Sequence, residues 1–190
     1  MKTNILKNTL ILVLAISFTS FSIVSDRAID LKQSKVSWKG HKVTGAHEGT
    51  ISLSSGILKF SDDKLVGGEF TIDMTSIDNT DLEGDYRLKL EGHLKSDDFF
   101  GVANHPKAQL IFKSVKPSNE NNYSVTADLT IKGKTNPITF DISINQGKAN
   151  AALKVDRTKY DIKYGSASFF DNLKDKAIYD EFDLVVDLKF

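Results

Sequence analysis

Hydrophobic and polar positions alternate with period two along most of this chain, the pattern of strands with one buried and one wet face. The stretch from Gly40 to Leu53 carries the most informative case. From Val43 the odd positions read Val43, Gly45, His47, Gly49, Ile51 and Leu53, and the even ones Thr44, Ala46, Glu48, Thr50 and Ser52. A histidine between two glycines is unusual on a buried face, and glycine inside a strand marks a bend, a bulge or a close approach. Two readings stay open. Either the strand curves around an internal cavity with His47 near its wall, or it is a bulged strand of an ordinary barrel with His47 hydrogen-bonded or edging into solvent.

The same alternation predicts the other strands. Ile29, Leu31, Val36 and Trp38 read as one strand broken near Gln33-Ser34, and Ser54-Ser55-Gly56 as a turn into Ile57–Phe60. Asp62-Asp63-Lys64 turns the chain into a strand with Phe70, Ile72 and Met74 inward. Between Asp81 and Leu94 the period changes to four, through Leu82, Tyr86, Leu90 and Leu94, which predicts an amphipathic helix of about three turns. Strands then resume. One starts at Leu110 and Phe112 and ends before Pro117; the next carries Val125, Ala127, Leu129 and Ile131. Residues 132–137 turn the chain into Ile138, Phe140, Ile142 and Ile144, and Gln146-Gly147 into Ala149, Ala151, Leu153 and Val155. Tyr160, Ile162 and Tyr164 form a short segment, and residues 165–176 an irregular connection. The last strand sets Phe182, Leu184, Val186, Leu188 and Phe190 on one face. About eight antiparallel strands and one helix predict a mainly β fold closed as an up-and-down barrel. Such a barrel either fills itself with side chains or holds one small ligand.

Composition narrows the functions. The chain has 190 residues with 25 basic and 25 acidic side chains and no cysteine. Disulfides, thiolate metal sites, cysteine nucleophiles and a lipidated cysteine are thereby excluded, and no basic stripe points to nucleic acid. Residues 1–25 read as a secretory signal peptide, with Lys2 and Lys7 before the apolar run from Thr9 to Val24 and cleavage between 22 and 28. An uncleaved anchor is the other reading, but sixteen residues broken by serine and threonine are short for a membrane span. Residues 26–190 then form one domain, periplasmic or secreted. Twelve phenylalanines among the aromatics give apolar surface that needs no hydrogen bond.

Motifs for catalysis fail on context. Gly133-Lys134-Thr135 lacks the first glycine of a phosphate loop and lies between strands. His41, His47, His93 and His105 show no metal-ligand spacing, so no metal is expected. Asp62-Asp63 and Asp97-Asp98 read as turn residues. Phe99-Phe100, Phe169-Phe170, Tyr160 and Tyr164 fall outside the strand interiors, where they either plug the barrel ends or line an entrance.

Several stretches together resemble the YceI-like family of exported bacterial proteins. They are Val36–Gly49 (VSWKGHKVTGAHEG), Gly67–Ile77 (GGEFTIDMTSI), His93–Leu110 (HLKSDDFFGVANHPKAQL), Leu129–Phe140 (LTIKGKTNPITF), Val155–Gly165 (VDRTKYDIKYG) and Ala177–Leu188 (AIYDEFDLVVDL). The resemblance implies a lipocalin-like, eight-stranded antiparallel barrel with a helix by one opening and a long apolar tail inside. It also implies a lipid- or polyisoprenoid-binding protein with no established enzymatic activity and no cofactor. The partner would be an isoprenoid lipid or quinone, and transient membrane contact and a homodimer are compatible with it. Positions where the matched motif and inward parity agree are Trp38, His47, Phe70, Ile72, Phe112, Phe140 and Ile162, with Leu94, Phe99 and Phe100 near the opening. His47, and toward the rim Arg157 or Lys163, are the candidates to meet a phosphate or quinone oxygen. Gly101 stands where the family commonly has an acidic residue after the paired phenylalanines.

Two rival readings accompany this one. An outer-membrane barrel would use the same apolar stripe facing outward, since parity alone does not give direction. An enzyme acting on the bound lipid would need His47 or a carboxylate as general base.

Overall fold

In the computed structural model, which describes residues 23–190, the alternation becomes one closed antiparallel sheet. The strands are β1 (Val24–Ala28), β2 (Lys35–Lys42), β3 (Gly45–Ser61), β4 (Lys64–Asn79), β5 (Lys107–Asn119), β6 (Asn122–Ile131), β7 (Lys134–Asn145), β8 (Lys148–Asp156) and β9 (Ile178–Lys189), with helix α1 (Gly84–Lys95) between β4 and β5. From β2 to β9 each strand pairs with its neighbour in sequence, and β9 pairs back on β2, closing an eight-stranded up-and-down barrel. β1 pairs with the end of β3 beyond the reach of β2. The strand expected from Ile29 to Leu31 is not formed: the extended segment is 24–28, and Ile29 to Ser34 make the turn before β2. The expected signal peptide lies almost wholly outside the described residues; only the start of β1 overlaps it, and β1 as a whole falls within its cleavage window.

The hairpins are short because the turn residues accept left-handed backbone. Asp62-Asp63, Lys132-Gly133 and Gln146-Gly147 each hold positive φ at both central positions, the two-residue turn whose twist matches that of the strands.

One other expected turn does not occur. Ser54-Ser55-Gly56 lies within β3, which runs on through register shifts near Ser52 and Ser55. Gly56 is there for contact, since a Cβ would stand 2.8 Å from the Phe70 ring and 2.9 Å from Ile29. Pro117 and Pro137 do not end strands but sit within β5 and β7, opposite Tyr123 and Asp128. Each lies where its strand is paired on one side only, because β4 pairs β5 at 107–111 and β8 pairs β7 at 142–145. A missing N–H is harmless at such an edge. The segment around Tyr160 is a single tight helical turn, Arg157–Tyr160, rather than extended chain.

Direction is unambiguous. On β6, Tyr123, Val125, Ala127, Leu129 and Ile131 are buried, while Ser124, Thr126, Asp128 and Thr130 alternate outward. The apolar face is the inner one, which corrects the outer-membrane reading. One end of the interior is closed by Phe60 and Phe190, whose ring centroids lie 5.4 Å apart, with the Arg27 guanidinium 4.2 Å over Phe60. The other end carries α1 and an apolar hollow.

A candidate ligand cavity inside the barrel

The hollow is a cavity of about 130 Å³ bordered by Trp38, Ile51, Ile72, Met74, Leu129 and Leu184 from the strands and by Leu94, Phe99 and Phe100 from the α1 region. A second void of about 80 Å³ continues along the axis past Phe70, Phe112 and Phe140. Val36, Ile72, Leu129 and Leu184 border both and form the partition between them.

Trp38 reaches its place because Gly49 faces it across β2 and β3. A Cβ on Gly49 would lie 2.6 Å from Cζ2 of Trp38 and 1.9 Å from the carbonyl oxygen of Asp78. The indole Nε1 donates to the carbonyl of Thr50 at 3.2 Å, so its one polar atom is satisfied at the wall. Phe99 and Phe100 are turned inward by the chain after α1. Backbone N–H groups of Phe99 and Gly101 donate to the Ser96 carbonyl at 3.0 and 2.8 Å, with Gly101 in the left-handed region. Phe100 then meets Phe182 edge-on at 6.3 Å.

α1 sits at this opening with its apolar stripe half covered. Leu94 borders the cavity, while Tyr86 and Leu88 are 74% and 66% exposed. Polar contacts hold it instead. Glu91 Oε1 accepts from the backbone N–H of Asn79 at 3.0 Å and from Arg87 Nε at 2.8 Å, and Arg87 also pairs with Asp78.

The three headgroup candidates separate. Arg157 borders the cavity but is not at the rim, being only 2% exposed. It comes to that position because the helical turn after β8 folds its side chain under the start of β9. Its Nε donates to the Tyr179 carbonyl, Nη1 to Ile162 and Nη2 to Ile178, at 3.0, 2.8 and 3.0 Å. The guanidinium lies 5.5 Å over the Phe99 ring and 3.7 Å from Asp180 Oδ1. Burial pulls its pKa down, against the pull of Asp180 and Asp156. Asp180 is held below the usual carboxylate range despite burial, by serine hydroxyls and Arg157. Nearby, burial pushes the Tyr160 phenol up to about 12.

His47 and Lys163 border neither void. The structure takes the second reading of the glycine-flanked strand, because His47 Nδ1 is bonded to Asp81 Oδ2 at 2.9 Å, away from the cavity wall. Lys163 is exposed and pairs with Asp161 at 2.8 Å. Ile162 is fully buried beside the cavity without bordering it.

His41 is the polar residue that parity missed. Between the pairs Gly40–Phe182 and Lys42–Ile178, one residue of β2 faces three of β9. This bulge breaks the alternation and brings His41, Tyr179 and Glu181 to the cavity margin. His41 Nε2 lies 2.7 Å from Asp183 Oδ2. No sequence signal marks such a bulge. Among the described residues no group of three His, Asp or Glu is placed to hold a metal.

Known proteins agree with the architecture. The crystal structure of Burkholderia cenocepacia BcnA superposes with a TM-score of 0.68 at 26% identity, covering 84% of this chain and 98% of that one. A polyisoprenoid-binding domain from Saccharophagus degradans, implicated in plant cell wall breakdown, shares the fold at 15% identity and TM-score 0.56, over 85% of this chain and 95% of that one. A UPF0312 protein of Staphylococcus aureus (strain USA300) is 36% identical over 88 residues, 40% of this chain and 48% of its own length. One from Pseudomonas putida (strain W619) is 40% identical over 57 residues, 30% of each chain. The matched stretch is thus under half the length of these relatives. Residues 28–190, nearly all of the described chain, match the YceI-like domain, and the protein belongs to that family.

Proposed function

We propose that the barrel binds the tail of an isoprenoid-type lipid, a prenyl phosphate or an isoprenoid quinone, and carries, stores or sequesters it outside the cytoplasm. The observation that carries this reading is the pair of aligned apolar voids, bordered by aliphatic and aromatic side chains with Arg157 as the deep charged group. A cavity of this size accepts an apolar molecule about as large as benzene, so roughly one isoprene unit fits as the walls stand. A longer tail parts the shared partition and joins the two voids end to end. Each five-carbon unit buried contributes roughly 3–4 kcal/mol gross, at about 0.8 kcal/mol per CH₂. A few units overcome the cost of association.

The family affiliation and the polyisoprenoid-binding domain of the same fold support the choice of ligand class. Arg157 is the candidate for a headgroup oxygen, because its three carbonyl bonds leave two of its five N–H groups free of them. His47 and Lys163, which border neither void, do not meet a ligand held there. The test is native mass spectrometry of protein purified from a bacterial periplasm, followed by lipid extraction. The expected result is a stoichiometric prenyl lipid, lost in Ala108→Phe, where a buried cavity-bordering alanine is replaced by a ring that fills the space. A wild-type barrel that stays empty when offered prenyl lipids overturns the reading.

A further inference from the structure

The two voids lie in a bore whose ends are both fixed. At the α1 end Arg157 is pinned by its three carbonyl bonds. At the other end the bore runs into a floor of rings. Phe70, Phe112 and Phe140, from β4, β5 and β7, border the second void. Their centroids lie 5.7 Å apart between Phe70 and Phe112 and 5.8 Å apart between Phe112 and Phe140. Gly68 leaves room for this arrangement, since a Cβ there would stand 2.9 Å from the Phe112 ring. Beyond the floor Leu58, Phe60, Val125 and Ala149 are fully buried, and the Phe60–Phe190 contact closes the interior.

The partition and the floor differ in what lies beside them. Val36, Ile72, Leu129 and Leu184 have a void on either side and space to turn into. Leu58, Phe60, Val125 and Ala149 border neither void, and close-packed side chains yield to an intruding chain only under strain. The depth between the two ends follows from β9. Phe182 and Leu184 border the first void, and Leu184, Val186 and Leu188 the second. At about 3.4 Å per residue and a strand tilt of roughly 40°, the stretch from Phe182 to Leu188 descends about 15 Å. An isoprene unit adds four C–C bonds of about 1.5 Å each to the chain, roughly 5 Å when extended.

We infer that the barrel selects prenyl tails by length, accepting about three isoprene units between Arg157 and the floor of Phe70, Phe112 and Phe140; this rests on tail binding in the cavity and adds the length of the tail. A shorter tail leaves the second void unfilled and forgoes its burial. A longer one either lifts its head away from Arg157 or leaves its last unit in water. Phe112 is the residue that sets the limit, because its ring touches both of the others and stands over Gly68.

The test is titration of the purified protein with geranyl, farnesyl and geranylgeranyl monophosphate, whose tails have two, three and four units. The signal is the emission of Trp38, the sole tryptophan of the chain and a cavity residue. The expected result is a Kd that falls roughly tenfold or more from geranyl to farnesyl and falls no further for geranylgeranyl. Ala151 borders the second void, and Ala151→Leu is expected to make geranyl the tighter ligand of the first two. Phe112→Ala deepens the floor and is expected to move the tightest binding to geranylgeranyl. Ala151→Leu fills space rather than removing packing, so the floor is tested even where Phe112→Ala does not fold. A wild-type Kd that falls by a similar factor again for geranylgeranyl, or an Ala151→Leu protein with the wild-type order, overturns the length selection and leaves tail binding standing. Absence of saturable binding for all three, by Trp38 emission and by native mass spectrometry, overturns tail binding itself and the length selection with it.

Discussion

Arg157 is where a single residue does most to define the cavity. Three carbonyls, Asp180 and the Phe99 ring compensate a guanidinium that the barrel takes almost wholly out of water. Removing one partner of a buried charged set costs more than the set itself contributes, because the survivors stay desolvated. Arg157→Met is therefore expected to lower stability by about 3–5 kcal/mol in urea denaturation, and adding Asp180→Asn to recover part of that loss. Gly49→Ala should cost about 2–3 kcal/mol by forcing Trp38 and β4 outward, with tail uptake reduced; unchanged stability would show that the wall can shift freely. Parity found Trp38, Ile72, Phe70, Phe112 and Phe140, since these depend only on alternation along regular strands. It did not find His41, because one bulge reverses the side on which a residue lies. The expectation of Arg157 at the rim, which did not come from parity, fails because a sequence does not show which way a helical turn folds its side chain.

At the level of elements, α1 shows how a pattern can be right about existence and incomplete about packing. Its apolar positions Tyr86, Leu90 and Leu94 recur every four residues, yet no residue of the helix is fully buried, and Arg87, Glu91 and Asp78 tie it to the end of β4. An element held this way opens at low cost. Arg87→Ala is expected to speed amide exchange across 84–95 several-fold while β6 keeps its protection, as read by hydrogen-exchange mass spectrometry. β1 makes the converse point. It pairs with β3 and leads into Ile29, which is buried in the core beside Leu58 and Phe60, so a chain starting at residue 30 should be destabilised by about 2 kcal/mol or more through the loss of that side chain. A chain starting at residue 26 loses only the pairs of Val24 and Ser25, and its melting temperature should change little. The misread turns share one cause. Ser-Ser-Gly and X-Pro are turn signals in a chain that has a choice, and here pairing on one side is enough to keep the strand extended.

For the whole molecule, ion pairs at the cavity end couple strands that are distant in sequence. Lys154 and His41 hold the Asp183 carboxyl below its usual range, and the Glu48 N–H, His47 and Asn79 do the same for Asp81 against its burial. Carboxyls depressed in the folded state stabilise it fully above their unfolded pKa, about 3.9. That stability is lost as pH falls through the lower folded values. Thermal melts from pH 6 downward should therefore show a fall in melting temperature beginning near about pH 4, and Asp183→Asn should blunt it. A flat profile would mean that the pairs add nothing. The sequence by itself determined most of the strand faces, the places of the hairpins and the closed antiparallel class, because each follows from local periodicity and turn chemistry. Only the tertiary structure decided which face is inside, where the interior stays unfilled and which charged group reaches it. Those properties arise from the fit between side chains far apart in the chain, and no local pattern contains that fit.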